Sequence, residues 1–462
     1  MNCNETYIYR LASFTVTVLG ALIMCSCNSI EDRFIEEGVV VEKDETKNEG
    51  RIAQNRWTYA QMQEHYLWEE YMSDSTTLNF TDAPRTFFNK LLYKGDRFSW
   101  MERNEDYRES LLYDRFGLEI VEYLLPTGGK VCRTALVLPH SPAEAAGLRR
   151  GDWFVITGTN VGRMDIETGK IEGIAFLPEK KLVLSANGSE YTDAIALDTI
   201  YQLQGKKIGY LIYNSFMDGM INFTYPYRTE LRNIFGDFKD QGVTDLIIDL
   251  RYNPGGYVSI CEIMCSLVLP DEYHGKISGY HSFNRKQAAK LLKETGNEED
   301  ILYFPTKNVI GNNNVGLRKI YCIITGRSAS ASESLINTLS SYIEVITVGS
   351  TSTGKNVGSY QCKDNRYEWQ LQPVTFYYYN KEHKTVPETG IIPNIPVSEN
   401  GIGVWYNLGD TREMLLNAAL RHITGGSQMR SSVDYGKIQL TQVIDEGLQR
   451  RKVEGLVRLK NE

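Results

Sequence analysis

The feature that most constrains the fold is an alternation of apolar and amphipathic segments in the second half of the chain. Residues 208–213 and 243–250 are apolar stretches of strand length, whereas residues 221–240 and 257–269 have the spacing of helices. Strands that alternate with helices of this length predict a mixed α/β domain, with helices layered on a sheet. The chain has 462 residues, of which 42% are hydrophobic, so it can bury such a core beside smaller domains.

The alternation resumes nearer the C-terminus, after a polar interval. Residues 271–318 show no clear period and are interpreted as an excursion or lid. Four further elements then continue the domain: a strand at 320–325, a helix at 330–342, a strand at 345–349 and a terminal helix at 410–423.

The segments that precede the α/β core differ from it in their spacing of apolar residues, which predicts separate domains. Aromatic and apolar side chains recur at helical spacing in residues 57–71 and 84–92, whereas residues 116–138 contain short alternating segments typical of strands, before a short helix that ends at Gly147. The result is an α+β or mixed α/β multidomain protein. We divide it into a signal segment (1–27), a flexible tether (28–54), a helical N-terminal domain (55–112), a β-rich module (113–200), an α/β core (201–425) and a polar tail with helical character (426–462).

The N-terminal segment is typical of an exported protein. The apolar run at residues 11–24 is short for a membrane span and fits the apolar region of a signal peptide. It closes in Met24-Cys25-Ser26-Cys27, which resembles a bacterial lipobox, so Cys27 is predicted to carry a lipid. This predicts a cell-envelope lipoprotein, periplasm-facing or attached to the outer membrane; a simple cleaved signal peptide is the alternative.

Charge and cysteine usage exclude several function classes. The formal net charge is −8, from 50 Lys and Arg against 58 Asp and Glu, which offers no basic surface for nucleic acid. The cysteines show no CxxC spacing and the six histidines no HExxH, so no metal site and no cofactor are predicted. Cys261 and Cys265 lie in an apolar helical run and are predicted to be buried small side chains.

Three short motifs carry residues suited to catalysis. In Thr325-Gly-Arg-Ser-Ala-Ser-Ala-Ser-Glu333 an apolar strand runs through small residues into a helix, which would place a serine hydroxyl at a helix N-terminus. A Ser-rich N-cap is the plainer interpretation of this segment. Gly354-Lys355 follows the next strand, and Gly255-Gly256 stands at another strand-to-helix junction, where unobstructed backbone N–H groups could bind an oxyanion. A surface lysine and a tight helix entry are the alternatives.

Together these motifs resemble the C-terminal processing peptidases, also called tail-specific proteases, which use a Ser-Lys dyad. The resemblance rests on Ser328-Ala-Ser-Ala-Ser-Glu333, on Gly354-Lys355 lying 25 positions after Ser330, and on Asp249-Leu-Arg-x-Asn-x-Gly-Gly256. It covers about residues 55–425. It implies a core with a ClpP/crotonase-like fold and a PDZ domain for the β-rich module.

The resemblance also implies a role for each matching residue. Ser330 would be the nucleophile and Lys355 the general base, with the N–H groups of Ala331 and of Gly255 or Gly256 as the oxyanion hole. Many members of the family carry a Gln four residues after the Lys, where this chain has Ser359, so Ser359 and Glu333 are both candidates for a third catalytic residue. Glu333 also has the simpler interpretation of a charge that complements the helix dipole.

The resemblance identifies a peptide-binding segment as well. Phe116-Gly117-Leu118-Glu119 resembles the carboxylate-binding loop of a PDZ domain, and Ser141-Pro-Ala-Glu-Ala-Ala-Gly-Leu-Arg-Arg-Gly-Asp152 its characteristic helix-turn. The expected function is a serine endopeptidase of protein or peptide substrates, held at the membrane by lipid. Two alternatives remain: a catalytically degenerate peptide-binding lipoprotein, and a glycan-binding lipoprotein supported only by the many aromatic residues.

Overall fold

The structure of the chain is a computed structural model. It describes residues 39–103, 115–125, 129–160, 163–168, 180–186, 194–218, 225–399, 404–426, 441–442 and 456–457. Cys27 and the rest of the predicted signal segment lie outside these residues. Residues 51–462 group into one compact unit.

The described residues contain nine α-helices and nineteen strands. The helices are α1 Val39–His65, α2 Pro84–Asn89, α3 Pro142–Ala145, α4 Pro226–Asp240, α5 Val258–Val268, α6 Arg285–Thr295, α7 Lys307–Ile310, α8 Ala331–Ser340 and α9 Met414–Thr424. The strands are β1 Trp100–Arg103, β2 Leu118–Leu124, β3 Lys130–Val137, β4 Trp153–Asn160, β5 Arg163–Thr168, β6 Lys180–Ser185, β7 Ile195–Leu203, β8 Lys206–Tyr213, β9 Asp245–Asp249, β10 Ile277–Phe283, β11 Glu299–Tyr303, β12 Lys319–Ile324, β13 Glu344–Gly349, β14 Val357–Ser359, β15 Trp369–Gln372, β16 Val374–Asn380, β17 Ile395–Pro396, β18 Thr441–Gln442 and β19 Leu456–Val457.

The centre of the core is a six-stranded sheet with the order β17-β13-β12-β9-β8-β7. All neighbouring pairs except β7–β8 are parallel. Alternate residues of β8 face opposite sides: Leu211 packs with α4, α5 and α8, whereas Ile212 packs with α9. Helices therefore cover both faces, and the predicted mixed α/β core is confirmed. The inner strands β8, β9 and β12 are largely apolar because both of their faces are buried, whereas the edge strand β7 has no buried residue.

The domain boundary predicted at residue 200 falls inside a strand and needs correction. Strand β7 pairs with β8 in register from Ile195↔Tyr213 to Leu203↔Lys206, so the core begins near residue 194. The turn between them is Gln204-Gly205, and both residues have positive φ. A two-residue turn of this kind joins hairpin strands directly, and it is the local signal that the assigned boundary overlooked.

Two further expectations also differ from the structure. The 271–318 interval is not irregular, since β10, α6 and β11 lie within it and β10 pairs with both β11 and β16. None of the residues of α6 is buried, although its apolar residues Ala288, Leu291 and Leu292 recur at helical spacing. Residues 39–54 of the expected tether are helical as part of α1, in a stretch without proline and rich in good helix formers.

The helical N-terminal domain shares its core with the rest of the chain. Met62 and Phe87 pack in one cluster with Leu371 and Val374, and β1 pairs with β15. This sharing holds the segment after α2 against the loops of the α/β core.

The β-rich module has a sheet with the order β18-β2-β3-β4-β5-β6, closed by the short helix α3. The C-terminal tail contributes strands to two sheets. Thr441 and Gln442 pair antiparallel with the end of β2 in this sheet, whereas Leu456 and Val457 pair in parallel with β14 in the separate sheet β11-β10-β16-β14-β19. The described parts of the tail are thus strands rather than the expected helix, because they add to open sheet edges.

Cysteines 132, 261, 265, 322 and 362 are buried and unbridged. No helix among the described residues is long and apolar enough to cross a membrane.

Candidate active site

Ser330 lies where the central strand β12 passes into α8. It is fully buried and occupies the N-cap position of that helix, with φ 56° and ψ −115°. Positive φ is strained for a residue with a side chain, and such strain collects at functional sites. Two hydrogen bonds to a neighbouring loop help to hold this conformation: Ala329 N–H and the Ser332 hydroxyl both donate to the Asn253 carbonyl, at 3.1 and 2.9 Å.

Glu333, in the first turn of α8, joins the Ser330 and Lys355 loops. One carboxylate oxygen accepts the N–H groups of Ser330 and Lys355 at 2.9 and 2.8 Å. The other accepts the Gly354 N–H at 2.7 Å and the Ser352 hydroxyl. Burial raises the pKa of Glu333, and these four hydrogen bonds oppose that rise because they favour the carboxylate. Glu333 therefore fixes where both loops lie.

Lys355 is buried beside an aromatic ring. Only 7% of the residue is exposed, and its Nζ lies 5.3 Å from the centroid of the Phe98 ring. Burial lowers the pKa of Lys355 from 10.5 to about 8, against the attraction of Asp96 and Glu333, which raises it. An amine of this pKa is partly neutral at physiological pH, so it can accept a proton.

One of the two glycines proposed for the oxyanion hole already uses its N–H in a hydrogen bond within the protein. Gly255 N–H donates to the Asn253 side chain at 2.9 Å. For Gly256 and Ala331, no acceptor of the N–H was found among the described residues. Gly256 has φ 140°, and a Cβ there would lie 2.5 Å from the Phe216 carbonyl oxygen, so only glycine fits this close approach. The geometry therefore favours Gly256 over Gly255.

The two candidates for a third residue lie in different surroundings. Glu333 contacts the backbone of both loops, as described above. Ser359 is buried in β14, and its hydroxyl accepts a hydrogen bond at 2.7 Å from Gln372 on β15. The structure thus connects Glu333, and not Ser359, to the Ser330 and Lys355 loops.

The predicted carboxylate-binding loop lies at the start of β2. Phe116 and Leu118 are buried in the core of the β-rich module, and Gly117 has φ 60°, a conformation that favours glycine. Glu119 accepts a hydrogen bond at 2.7 Å from Arg327, which also donates to the Ile120 carbonyl. Arg327 precedes Ser330 by three residues, so this loop is joined directly to the Ser330 loop.

Sequence reasoning missed the contribution of the segment after α2. Asp96 and Phe98 face Lys355, although more than 250 residues separate them along the chain. Asp96 is held by the Tyr66 hydroxyl at 2.8 Å and by the N–H groups of Phe98 and Ser99. Arg97 donates to the Thr353 and Glu388 carbonyls. The only local sequence signal for this segment was the short turn Asp96-Arg97-Phe98-Ser99, which does not indicate that it contacts Lys355.

The arrangement is chemically suited to nucleophilic catalysis: a strained, buried serine at a helix N-terminus, a lysine of lowered pKa, and backbone N–H groups without an acceptor. Within the described residues there is no group of three or more side chains that could hold a metal ion.

Comparisons with known proteins agree with this geometry. A family model described as peptidase family S41 matches residues 207–397, and a model of the peptidase S41 N-terminal domain matches residues 53–100. A carboxyl-terminal-processing protease of Picosynechococcus sp. is 25% identical over 310 residues, which are 64% of this chain and 67% of that protein. A solved structure from Bacteroides fragilis that carries an S41 protease description is 25% identical. It superposes with a TM-score of 0.67 over 80% of this chain and 98% of its own.

Proposed function

Because this chain belongs to peptidase family S41 and is a serine peptidase, we propose that it is an endopeptidase that works by a Ser330–Lys355 dyad. The observation that carries the proposal is the Glu333 carboxylate, which ties the backbone of the Ser330 loop to that of the Lys355 loop. A surface lysine or a plain helix cap would need no such connection. Glu333 acts here as a positioning residue.

The proposed reaction has two halves. Ser330 Oγ attacks the carbonyl carbon of the substrate while neutral Lys355 takes the hydroxyl proton, and the oxyanion is bound by the N–H groups of Ala331 and Gly256. Lys355 then gives its proton to the leaving amine, which breaks the peptide bond and leaves an ester on Ser330. Water, deprotonated by the same lysine, hydrolyses that ester and regenerates the hydroxyl group.

Covalent labelling tests this assignment. A fluorophosphonate probe should modify the wild-type protein at Ser330 and leave Ser330→Ala unlabelled, because only an activated serine reacts. The matched control is Ser334→Ala, a buried serine on the same helix, which should still label. Wild-type protein that neither labels nor cleaves casein would instead support the alternative of a degenerate peptide-binding lipoprotein.

The β-rich module is proposed to be a PDZ domain that engages substrate C-termini, and the core to have a ClpP/crotonase-like fold. Support for the first comes from β2, which directly follows the positive-φ residue Gly117. Among the described residues, β2 pairs along Leu118–Glu122 with β3 alone, so its other side has no neighbouring strand there. An extended peptide can add to such an edge and place its carboxylate against backbone N–H groups.

The tail strand β18 predicts a dependence on peptide length. A peptide added antiparallel to β2, with its C-terminus at Gly117, would run in the same direction as the tail, which pairs Thr441 with Leu124 and Gln442 with Tyr123. Truncation after Gly426 should therefore strengthen binding of eight-residue peptides several-fold. Five-residue peptides, which end opposite Val121, should bind equally to both proteins.

Calorimetric titration measures this difference, and C-terminally amidated peptides are the matched control. Amidation should weaken binding of both lengths, because it removes the carboxylate. Equal gains for both peptide lengths on truncation would show that the tail does not compete along β2.

The location is proposed from the sequence alone. We place the mature protein in the cell envelope, anchored through Cys27. A single acyl chain binds membranes only marginally, so stable anchoring needs a multiply acylated cysteine. Cys27→Ser should move the protein from the membrane fraction to the soluble fraction. Unchanged partition, with no lipid mass on the N-terminal peptide, would contradict the anchor.

A further inference from the structure

A large cavity opens between the helical N-terminal domain and the Lys355 loop. It encloses about 630 Å³, which is within the range of small-molecule and peptide sites. We call it the aromatic cavity because seven of its lining residues carry aromatic rings: Trp68, Tyr71, Tyr93, Phe98, Phe283, Tyr377 and Tyr379. None of the residues assigned above to catalysis lines it.

The aromatic cavity adjoins the proposed catalytic residues. Gly354 and Asn356, the two neighbours of Lys355 in the chain, form part of its wall. Gly354 N–H lies 2.7 Å from the Glu333 carboxylate, which also accepts the Ser330 N–H. Phe98 also belongs to the wall. The centroid of its ring lies 5.3 Å from Lys355 Nζ. A chain bound at Ser330 would therefore pass close to this cavity.

The lining is suited to apolar and aromatic groups. Tyr71 and Tyr93 are 58% and 36% exposed, and their rings stand 4.7 Å apart. Exposed rings that pack on one another at a cavity wall offer rigid contact area, which side chains of a partner can cover at low entropic cost. The Trp68 ring is oriented by a hydrogen bond from its Nε1 to the Tyr377 hydroxyl at 3.2 Å.

The charged groups at the cavity do not favour a charged ligand. The wall contains three acidic and two basic side chains: Glu69, Glu70, Glu388, Arg97 and Arg285. Negative and positive charges are therefore nearly balanced around the cavity. Arg97 already donates to two backbone carbonyls. Burial raises the pKa of Glu69, which makes its negative charge less favourable there.

From this placement and chemistry, we infer that the aromatic cavity is a subsite of the peptidase that binds a bulky apolar or aromatic side chain of the substrate close to the scissile bond. The inference rests on the proposed function, since it takes Ser330 and Lys355 as the reacting groups. Tyr71 and Tyr93 are its specificity-determining residues. The helical N-terminal domain thereby contributes directly to substrate selection.

Binding to an inactive background tests the subsite without requiring turnover. Eight-residue peptides with alanine at every position but one, where phenylalanine is moved along the chain, are titrated into Ser330→Ala protein by calorimetry. One phenylalanine position should bind about tenfold more tightly than the all-alanine peptide, as expected for filling an apolar pocket. Tyr71→Ala with Tyr93→Ala should abolish that preference.

The matched control is Tyr303→Ala, which removes another half-exposed tyrosine on β11, outside the cavity wall, and should keep the phenylalanine preference. As a second readout, benzophenone at the preferred position should cross-link to residues 67–71 or 93–98. Equal affinity at every phenylalanine position, a preference that survives loss of both tyrosines, or cross-links confined to other segments would overturn the subsite.

The outcomes separate this inference from the proposed function. Labelling of Ser330 without any phenylalanine preference would remove the subsite and leave the dyad intact. A tyrosine-dependent preference in a protein whose Ser330 does not label would keep the cavity as a side-chain site and remove its link to catalysis by Ser330.

Discussion

Lys355→Arg is expected to be as inactive as Ser330→Ala, with kcat/KM at least about 1,000-fold below wild type. Arginine keeps a positive charge, but it cannot lose its proton in a protein, so it cannot accept one from Ser330. The double variant should be little worse than either single one, because groups that act as a unit are not additive. Cleavage of a fluorogenic peptide measures all three. Substantial turnover by Lys355→Arg would mean that another group is the base.

The same assignment fixes the direction of the pH dependence. Because burial lowers the pKa of Lys355 to about 8, the neutral amine becomes more abundant as pH rises toward that value. The wild-type kcat/KM should therefore increase with pH and level off above about 8. Asp96 attracts the protonated amine and so raises its pKa. Asp96→Asn, which is nearly isosteric, should shift the inflection to lower pH; an unmoved inflection would show that Lys355 does not govern the profile.

Glu413→Ala should cost roughly 3–5 kcal/mol in the free energy of unfolding, the range for breaking a buried ion pair. The Arg251 side chain is completely buried, and it donates to Glu413 at 2.8 and 2.9 Å and to Asp249 at 2.7 Å. Removing Glu413 takes one acceptor from each terminal nitrogen of this buried guanidinium, which then keeps only Asp249 and Glu399. It also removes the acceptor of the Leu416 N–H at the start of α9.

Urea denaturation followed by circular dichroism gives the stability difference. The matched control is Asp364→Ala, which breaks the exposed pair with Arg366 and should leave stability unchanged within error. If the two variants lost stability equally, the buried network around Arg251 would not be a stabilising element of the core.

Much of the α/β core was predictable because its signals are local. Strands buried on both faces are continuous apolar runs, and helices such as α4 and α5 carry an apolar stripe, so both are visible in a short window of sequence. Ser330, Lys355 and Gly256 also stand at junctions of elements among small residues, but it was the resemblance to a peptidase family that gave them their expected roles. Helix α6 was missed although its apolar residues recur at helical spacing, because it is mostly polar and lies in an interval interpreted as irregular.

Residue type and periodicity encode burial and local conformation, so the sequence was sufficient to identify the segments that form the core and the candidate residues for catalysis. It could not show which groups meet, because those contacts exist only in the assembled fold. The Glu333 contacts to two loops, the engagement of the Gly255 N–H by Asn253, and the approach of Asp96 and Phe98 to Lys355 all join distant parts of the chain. The lowered pKa of Lys355 follows from that packing, since burial is a property of the assembled fold and not of the lysine or its neighbours in sequence.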